Sequence, residues 1–363
     1  AYEFIPYENE SWGPEYDGSM RQLGKPDENG NVMKYPYAPI KNNRKDFFNT
    51  GLTFQNDLSL AMKDFYISFQ DARVKGIVPD DWNQRTGMRF NGSREYKNFK
   101  VSLGANYIQQ NYDVYSSGAM YDYYKGQDVG MHDGLMDLVF ATQAWVPLTK
   151  FKTDDPWGNY NTYYCDYSLN PYQAIETFRE KGRKHDFIGN IDLKYSPFSW
   201  MDLNLRVAVT HRNIAYKHKQ KKVSPSEYAA SERGFRFIPQ SVSDQNEQYY
   251  RLSTEPFITL HKTVGDFNLS GVVGSYMRPS REDYRGVAAS PLKIQGLYNV
   301  SGRTGEVDPT ERMVRTRMFS VYGSATVTYK NFATLEVTGR NDKVSVLAPG
   351  HNSYFYPGVN ASV

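Results

Sequence analysis

At 363 residues and a formal charge of +3, the chain is long enough for two or three ordinary domains or one large β domain. No run approaches the roughly 20 apolar residues of a membrane-spanning helix, and the single cysteine, Cys165, excludes an internal disulfide scaffold or a Cys-based zinc site. Acidic and basic residues are interspersed, without the basic block that nucleic acid would require.

A mean hydropathy of −0.68 still leaves one membrane architecture open. A transmembrane strand needs apolar side chains on one face only, so a barrel can be polar on average. The 30 Tyr and 20 Phe fit interfacial girdles, extended binding surfaces, or both. The chain begins at Ala1 in a polar stretch without a charged-then-apolar leader, so export is not directly legible.

Residues 1 to about 46 are rich in Pro, Gly, Asn and Tyr and are expected to form a long loop. A first hairpin is predicted from about Phe47 to Ala61, with a turn at Met62-Lys63-Asp64 and a return from Phe65 to about Lys75. The second pairs about Arg85–Ser93 with Phe99–Gln109; Phe99, Val101, Leu103, Ala105 and Tyr107 alternate with Lys100, Ser102, Gly104 and Asn106. About seventy residues then pass before the next regular strand, an insertion of the length usually associated with function. A third hairpin sets Ile191, Leu193 and Tyr195 beside Leu203, Leu205, Val207 and Val209.

A basic loop holding Lys217, Lys219, Lys221 and Lys222 is expected before the fourth hairpin, about Tyr249–Lys262 and Asp266–Arg278. Pro256 cannot donate to a ladder, which suggests a bulge or a later strand start. The fifth hairpin is clearest, with Val321, Gly323, Ala325, Val327 and Tyr329 followed by Ala333, Leu335, Val337 and Gly339. An eleventh strand, about Tyr354–Val363, has no following partner. The tight turns share a punctuation, Lys63-Asp64-Phe65, Lys97-Asn98-Phe99, Gly265-Asp266-Phe267 and Lys330-Asn331-Phe332, in which Asn, Asp and Gly can supply positive φ.

Alternation of this kind also fits a soluble β-sandwich whose uncharged face packs on a second sheet. Strands of about 10 to 15 residues, small residues mixed into the apolar face, and turns that alternate short and long favour an antiparallel transmembrane β-barrel, all-β, with short turns at one end and long loops at the other.

Several stretches resemble the SusC/RagA family of TonB-dependent outer-membrane transporters. They are Ser11-Trp12-Gly13-Pro14 with Asp17-Gly18, Asn170-Pro171-Tyr172, Gly296-Leu297-Tyr298-Asn299, Ser320-Val321-Tyr322-Gly323 through Phe332, Glu336-Val337-Thr338-Gly339-Arg340-Asn341-Asp342, and Asn352 through Pro357. Lys343-Val344-Ser345 and Gly358 depart from the family pattern. The resemblance implies a barrel of about 22 strands around a plug, in the bacterial outer membrane. The whole chain, 1–363, would supply about eleven of them, with the plug and the C-terminal strands absent from it. It also implies import of glycans or peptides, a TonB complex acting through regions not present here, a SusD/RagB-like lipoprotein lid and dimers of transporter–lid pairs.

For substrate contact the candidates are Trp145, Trp157, Tyr160, Tyr163 and Tyr164 in the long insertion, since aromatic faces stack on sugar rings and accommodate peptide side chains; ordinary loop packing or contact with a lid is the competing reading. Glu336 and Arg340 are expected on the lumen face, as pore charges or as structural pairs. Asp80-Asp81 and Asp154-Asp155 lack the ligand spacing of a calcium loop, so no metal or cofactor is expected. Lys217 to Lys222 are candidates for lipopolysaccharide phosphates or a solvated loop, and Cys165 reads as an incidental loop residue. Of the histidines, His211 and His261 are assigned to strands and the rest to loops; no nucleophile motif marks an enzyme. A surface carbohydrate-binding β protein without transport is the alternative function.

Overall fold

Strand after strand pairs with its sequence neighbour, which keeps every loop closure local. The computed structural model describes residues 4–9, 13–118, 134–152, 158–166, 168–330 and 332–363. A small hairpin, β1 (Met20–Gln22) with β2 (Lys34–Pro36), precedes the main sheet. The sheet then runs through β3 (Leu52–Ala61), β4 (Phe65–Lys75), β5 (Trp82–Tyr96), β6 (Phe99–Tyr115), β7 (Phe178–Phe198) and β8 (Met201–Gln220). It continues with β9 (Ser241–Val264), β10 (Phe267–Ala289), β11 (Asp308–Tyr329), β12 (Ala333–Val344) and β13 (Ser353–Ser362). These eleven strands form one antiparallel sheet in strict sequence order, and no helix is long and apolar enough to cross a membrane among the described residues.

Register brings the apolar residues of all eleven strands onto one face. One row reads Leu60, Ile67, Phe90, Ala105, Gly189, Val209; another reads Leu203, Ile258, Val273, Gly323, Gly339. No second sheet covers this face: Leu58 is 73% exposed and Val273 61%. Along β6 the band from Phe99 to Tyr107 spans eight residue steps, roughly 26 Å of strand. At the usual tilt this gives about 20 Å of depth, close to a lipid-facing belt of about 25 Å. On this face Arg94 and Lys262 lie toward the short turns, where water is within reach, and Asp71 and Lys343 follow the apolar residues toward the other end.

Aromatic rings mark the short-turn rim: Tyr96, Phe99, Tyr195, Phe198, Trp200, Phe267, Tyr329 and Phe332 are all exposed there. Phe198 stacks on Trp200 at 5.4 Å, and Phe267 meets Tyr329 at 5.0 Å. Four of the short turns are also bonded into the next hairpin. The carbonyls of Asp64, Asn98, Trp200 and Asp266 accept from the amides of Ser93, Ser196, His261 and Lys330 at 2.8–2.9 Å. Turn carbonyls at a lipid boundary are thereby satisfied by protein. Positive φ falls on Lys97, Gly265 and Lys330, the residue before the Asn or Asp, and the first hairpin uses none. Asp64, Asn98 and Asp266 therefore act as links between hairpins; Gly265 supplies positive φ as the sequence suggests, the expectation that Asp64, Asn98 and Asp266 do so is corrected, and Asn331 lies outside the described residues.

The strands are longer than the alternation predicts, because pairing continues past the belt where both faces meet water. Lys217, Lys219 and His218 lie in β8 and His185 in β7, not in loops. The first strand starts at Leu52 because Phe47 is drawn into a loop core. Pro256 causes no bulge: pairs on both sides, Gly274 with Phe257 and Met277 with Thr254, keep one register. Residues 4–9 and 13–48 hold the β1–β2 hairpin and pack against later loops, where the sequence suggested only a long loop.

If the exposed apolar band meets hydrocarbon, a charge inserted there should be far more damaging than one across the sheet. Val273→Arg is expected to cost roughly 2–4 kcal/mol, and Thr326→Lys, which faces Glu336 across the ladder, no more than about 1 kcal/mol. Denaturant unfolding of the micelle-refolded protein reads both; equal losses would refute the assignment of faces.

Candidate functional site

The long-loop end carries an ordered cap built from three segments of chain. The insertion between β6 and β7 contributes helices α1 (Gly134–Ala141) and α2 (Pro171–Thr177), the latter started by Asn170, whose side chain accepts from the Tyr172 amide at 2.9 Å, and by Pro171. The loop between β8 and β9 contributes α3 (Glu227–Glu232), capped by Ser226. These pack in three apolar clusters, two of which include residues before β3; one joins Leu23 and Tyr37 to Trp145, Phe151, Tyr163, Tyr164 and Cys165.

A buried ion pair ties the three segments. Arg233, with its side chain 1% exposed, meets Asp166 at 2.7 Å and donates to the carbonyl of Asn161 at 2.8 Å, and Lys25 reaches the other Asp166 oxygen at 2.6 Å. That carboxylate, hydrogen-bonded to Lys25, raises the ammonium pKa above its ordinary value. Beside it, Glu176 accepts from Tyr160 and Lys221. Burial works to raise the Glu176 pKa, but those two hydrogen bonds outweigh it and hold the group below the usual glutamate value.

The charged face of the sheet carries a second assembly. Asp192, Arg206, Glu255 and Tyr322 form a chain across β7, β8, β9 and β11, with contacts of 2.6, 3.3 and 2.9 Å. Arg340 on β12 extends it, lying 5.9 Å from the Tyr322 ring and bonding Asp342 at 2.6 Å and Ser320 at 3.0 Å. Glu336 shares this face and accepts from Asn360 at 3.0 Å. Toward β3 the same face opens into a hollow of about 710 Å³, where Arg85 bonds Gln70 and Gln70 bonds Asp57. Its floor needs Gly104, since a Cβ there would stand 2.4 Å from the Asn190 side-chain oxygen. Higher up, the Tyr112 ring covers Gly182 and donates to Glu180 at 2.7 Å; a Cβ on Gly182 would strike the ring at 2.4 Å.

Three solved structures share this fold. The chain resembles the RagAB peptide transporter (TM-score 0.67, 13% identity) over 88% of its own length and 35% of that chain. The RagAB peptide importer in its open-open state gives 0.64 and 16%, with coverage of 88% and 34%, and in its closed-closed state 0.65 and 13%, with coverage of 88% and 35%. The fold is that of a TonB-dependent transporter barrel. This chain spans about a third of the length of those transporter chains. No family model and no curated protein matches the sequence. In such a barrel the uncovered apolar face is the outside, the charged face lines the lumen, and the long loops are the outer ones.

The barrel frame locates each residue singled out in the sequence. Trp145, Tyr163 and Tyr164 are each 1% exposed, ring against ring with Tyr37 and Phe151 at 4.9–5.3 Å, so they have no free face for a ligand and serve to order the cap. Their expected role in substrate contact is corrected on that ground; burial also pushes both phenol pKa values well up. Tyr160 is half-buried and committed to Glu176. Trp157 and the pair Asp154-Asp155 lie outside the described residues. Cys165 is fully buried in the aromatic cluster, not an incidental loop residue. Asp81 is bound to Arg179 at 2.9 Å and to the Tyr115 amide at 2.7 Å, and no cluster with metal-holding potential occurs among the described residues. Glu336 and Arg340 fall on the charged face of the sheet, opposite the apolar one; Arg340 extends a polar ladder there that sequence reasoning did not find, while Glu336 bonds Asn360 beside it. Only the register, which sets Asp192 opposite Arg206, reveals it.

Breaking the buried pair from one side, Arg233→Met or Asp166→Asn, is expected to cost roughly 3–5 kcal/mol locally. Hydrogen exchange should then rise at residues 158–166 and leave β12 unchanged. Because the Glu176 pKa is lowered, its stabilisation is present above the usual carboxylate range and is lost as pH falls through it. Protection factors at 171–177, taken relative to the intrinsic exchange rate at each pH, should accordingly be flat from pH 7 to 5 and fall below about pH 4. A fall of equal size in Glu176→Gln would remove Glu176 as the cause.

Proposed function

We propose that this chain forms part of the wall of a TonB-dependent importer in the bacterial outer membrane, carrying oligopeptides inward from the cell surface. The observation that carries this reading is the apolar band that strand register continues across eleven strands, with no second sheet upon it among the described residues. A soluble carbohydrate-binding sandwich would bury that face. From β4 to β12 each strand is paired on both sides, as hydrocarbon requires. The two outermost strands, β3 and β13, each pair on one side only, so the reading requires further strands to close the wall.

The proteins of similar fold are described as a peptide transporter and a peptide importer, which favours peptide over glycan as cargo. A lumen of paired charges and tyrosine hydroxyls suits that cargo, since it offers both donors and acceptors to peptide amides and termini. The reading includes a SusD/RagB-like lipoprotein lid over the long loops and a TonB complex supplying work from the other side. The rings ordered within the cap give a lid a fixed surface to meet. The proposed activity is movement without covalent chemistry.

In cells dependent on an oligopeptide as amino-acid source, deletion of the gene should abolish growth, and loss of TonB should do the same. Growth that survives both deletions would contradict the reading, and retained growth on peptide with lost growth on an oligosaccharide would reverse the cargo.

A further inference from the structure

On the outer face of the barrel, charge returns a few residues beyond the aromatic ring set by Tyr107, Phe187 and Tyr250. Lys181, Arg183, Lys217 and Lys219 share this face on β7 and β8, with Lys181 directly opposite Lys217. Together with Trp82 and the loop residue Tyr298 they line a hollow of about 690 Å³. Like charges facing each other across a ladder are unfavourable, and of the four only Lys217 is relieved by a nearby acid. Asp113, opposite Lys181 on β6, bonds Arg179 at 2.9 Å, as does Asp81, and Asp244 is taken by Lys217. Among the described residues Lys181, Arg183 and Lys219 have no ion pair; Arg183 donates to Asn111 at 3.0 Å and Lys219 lies 5.6 Å from the Tyr298 ring. The hollow therefore holds positive charge that the protein does not neutralise.

Its height selects the ligand. Arg183 is four residue steps beyond Phe187 and Lys181 six, roughly 13 and 20 Å along the strand. At a tilt of 35–45° these are about 10 and 15 Å above the apolar band. A phospholipid phosphate lies only about 5–7 Å beyond the hydrocarbon, too low to reach the centre of the cluster, whereas a phosphorylated sugar headgroup extends that far. We propose that this hollow binds a phosphate of an outer-leaflet phosphorylated glycolipid, with Lys181, Arg183 and Lys219 as its cationic contacts. The inference rests on the outer-membrane reading above.

The test uses the full-length protein, first located by membrane fractionation, then delipidated in detergent and titrated with purified lipopolysaccharide. Lys181→Gln with Lys219→Gln should weaken binding roughly tenfold or more, and Lys181→Arg with Lys219→Arg should restore it. Wild-type protein should lose the same affinity for enzymatically dephosphorylated lipopolysaccharide, and Lys100→Gln, on the lumen face, should change nothing. Unchanged affinity in the double Gln variant, or equal competition by phosphatidylglycerol micelles or inorganic phosphate, would overturn the site while leaving the outer-membrane reading intact. Absence of the wild-type protein from the outer-membrane fraction would overturn both.

Discussion

Backbone amides that cannot reach water must be paired by other backbone, and the organisation of this molecule follows from that requirement. In hydrocarbon an unsatisfied N–H or C=O costs several kcal/mol, far more than the few tenths that separate one side chain from another on a strand. The answer is a ladder in which each of β4 to β12 is bonded on both sides. It extends to the short turns, whose carbonyls would otherwise point at the lipid boundary and are instead bonded by amides of the next hairpin. Pro256 and Pro279 fit the same logic: each removes a donor between β9 and β10, yet the register on either side is unchanged, because a shift would turn every apolar residue of β10 into the lumen.

Once the ladder carries the fold, the two faces are free to differ. The outside tolerates any apolar or small residue, so glycines sit beside valines there without a packed core to fill. The lumen side works under the opposite rule. Its charges lie in a partly enclosed space and are joined into a continuous series from Asp192 to Asp342, in which each of Arg206, Glu255 and Arg340 meets more than one partner. Where a large ring must lie flat against this wall, the neighbouring strand supplies a glycine, as Gly182 does for Tyr112. The interior surface is thus shaped by residue size in one strand and by hydrogen bonding in the next.

What could be read from the sequence corresponds to where the solvent differs between the faces. Leu335, Val337 and Ala325, Val327 alternate cleanly because lipid lies on one side and water on the other, and all five hairpins were legible from such segments. Residues 178–186, 211–220 and 279–289 belong to the same strands, yet both of their faces meet water, the alternation fades and the sequence resembles a loop. The cap was illegible for another reason. Trp145, Tyr163 and Tyr164 have the composition of a binding surface and of a small core alike, and only the three-segment packing around Arg233 and Asp166 separates the two.

That packing bears on how specificity could vary while the wall stays constant. The cap is held by side chains, through a buried ion pair, ring contacts and three small apolar clusters, whereas the wall is held mainly by backbone. Substitutions in the cap can therefore reshape the outer surface at a local cost, provided the Lys25–Asp166–Arg233 junction keeps both signs of charge. Substitutions in the wall are confined by face and depth. A sheet and cap divided in this way can keep the wall through large changes in the long-loop surface, because the two are stabilised by interactions of different kinds.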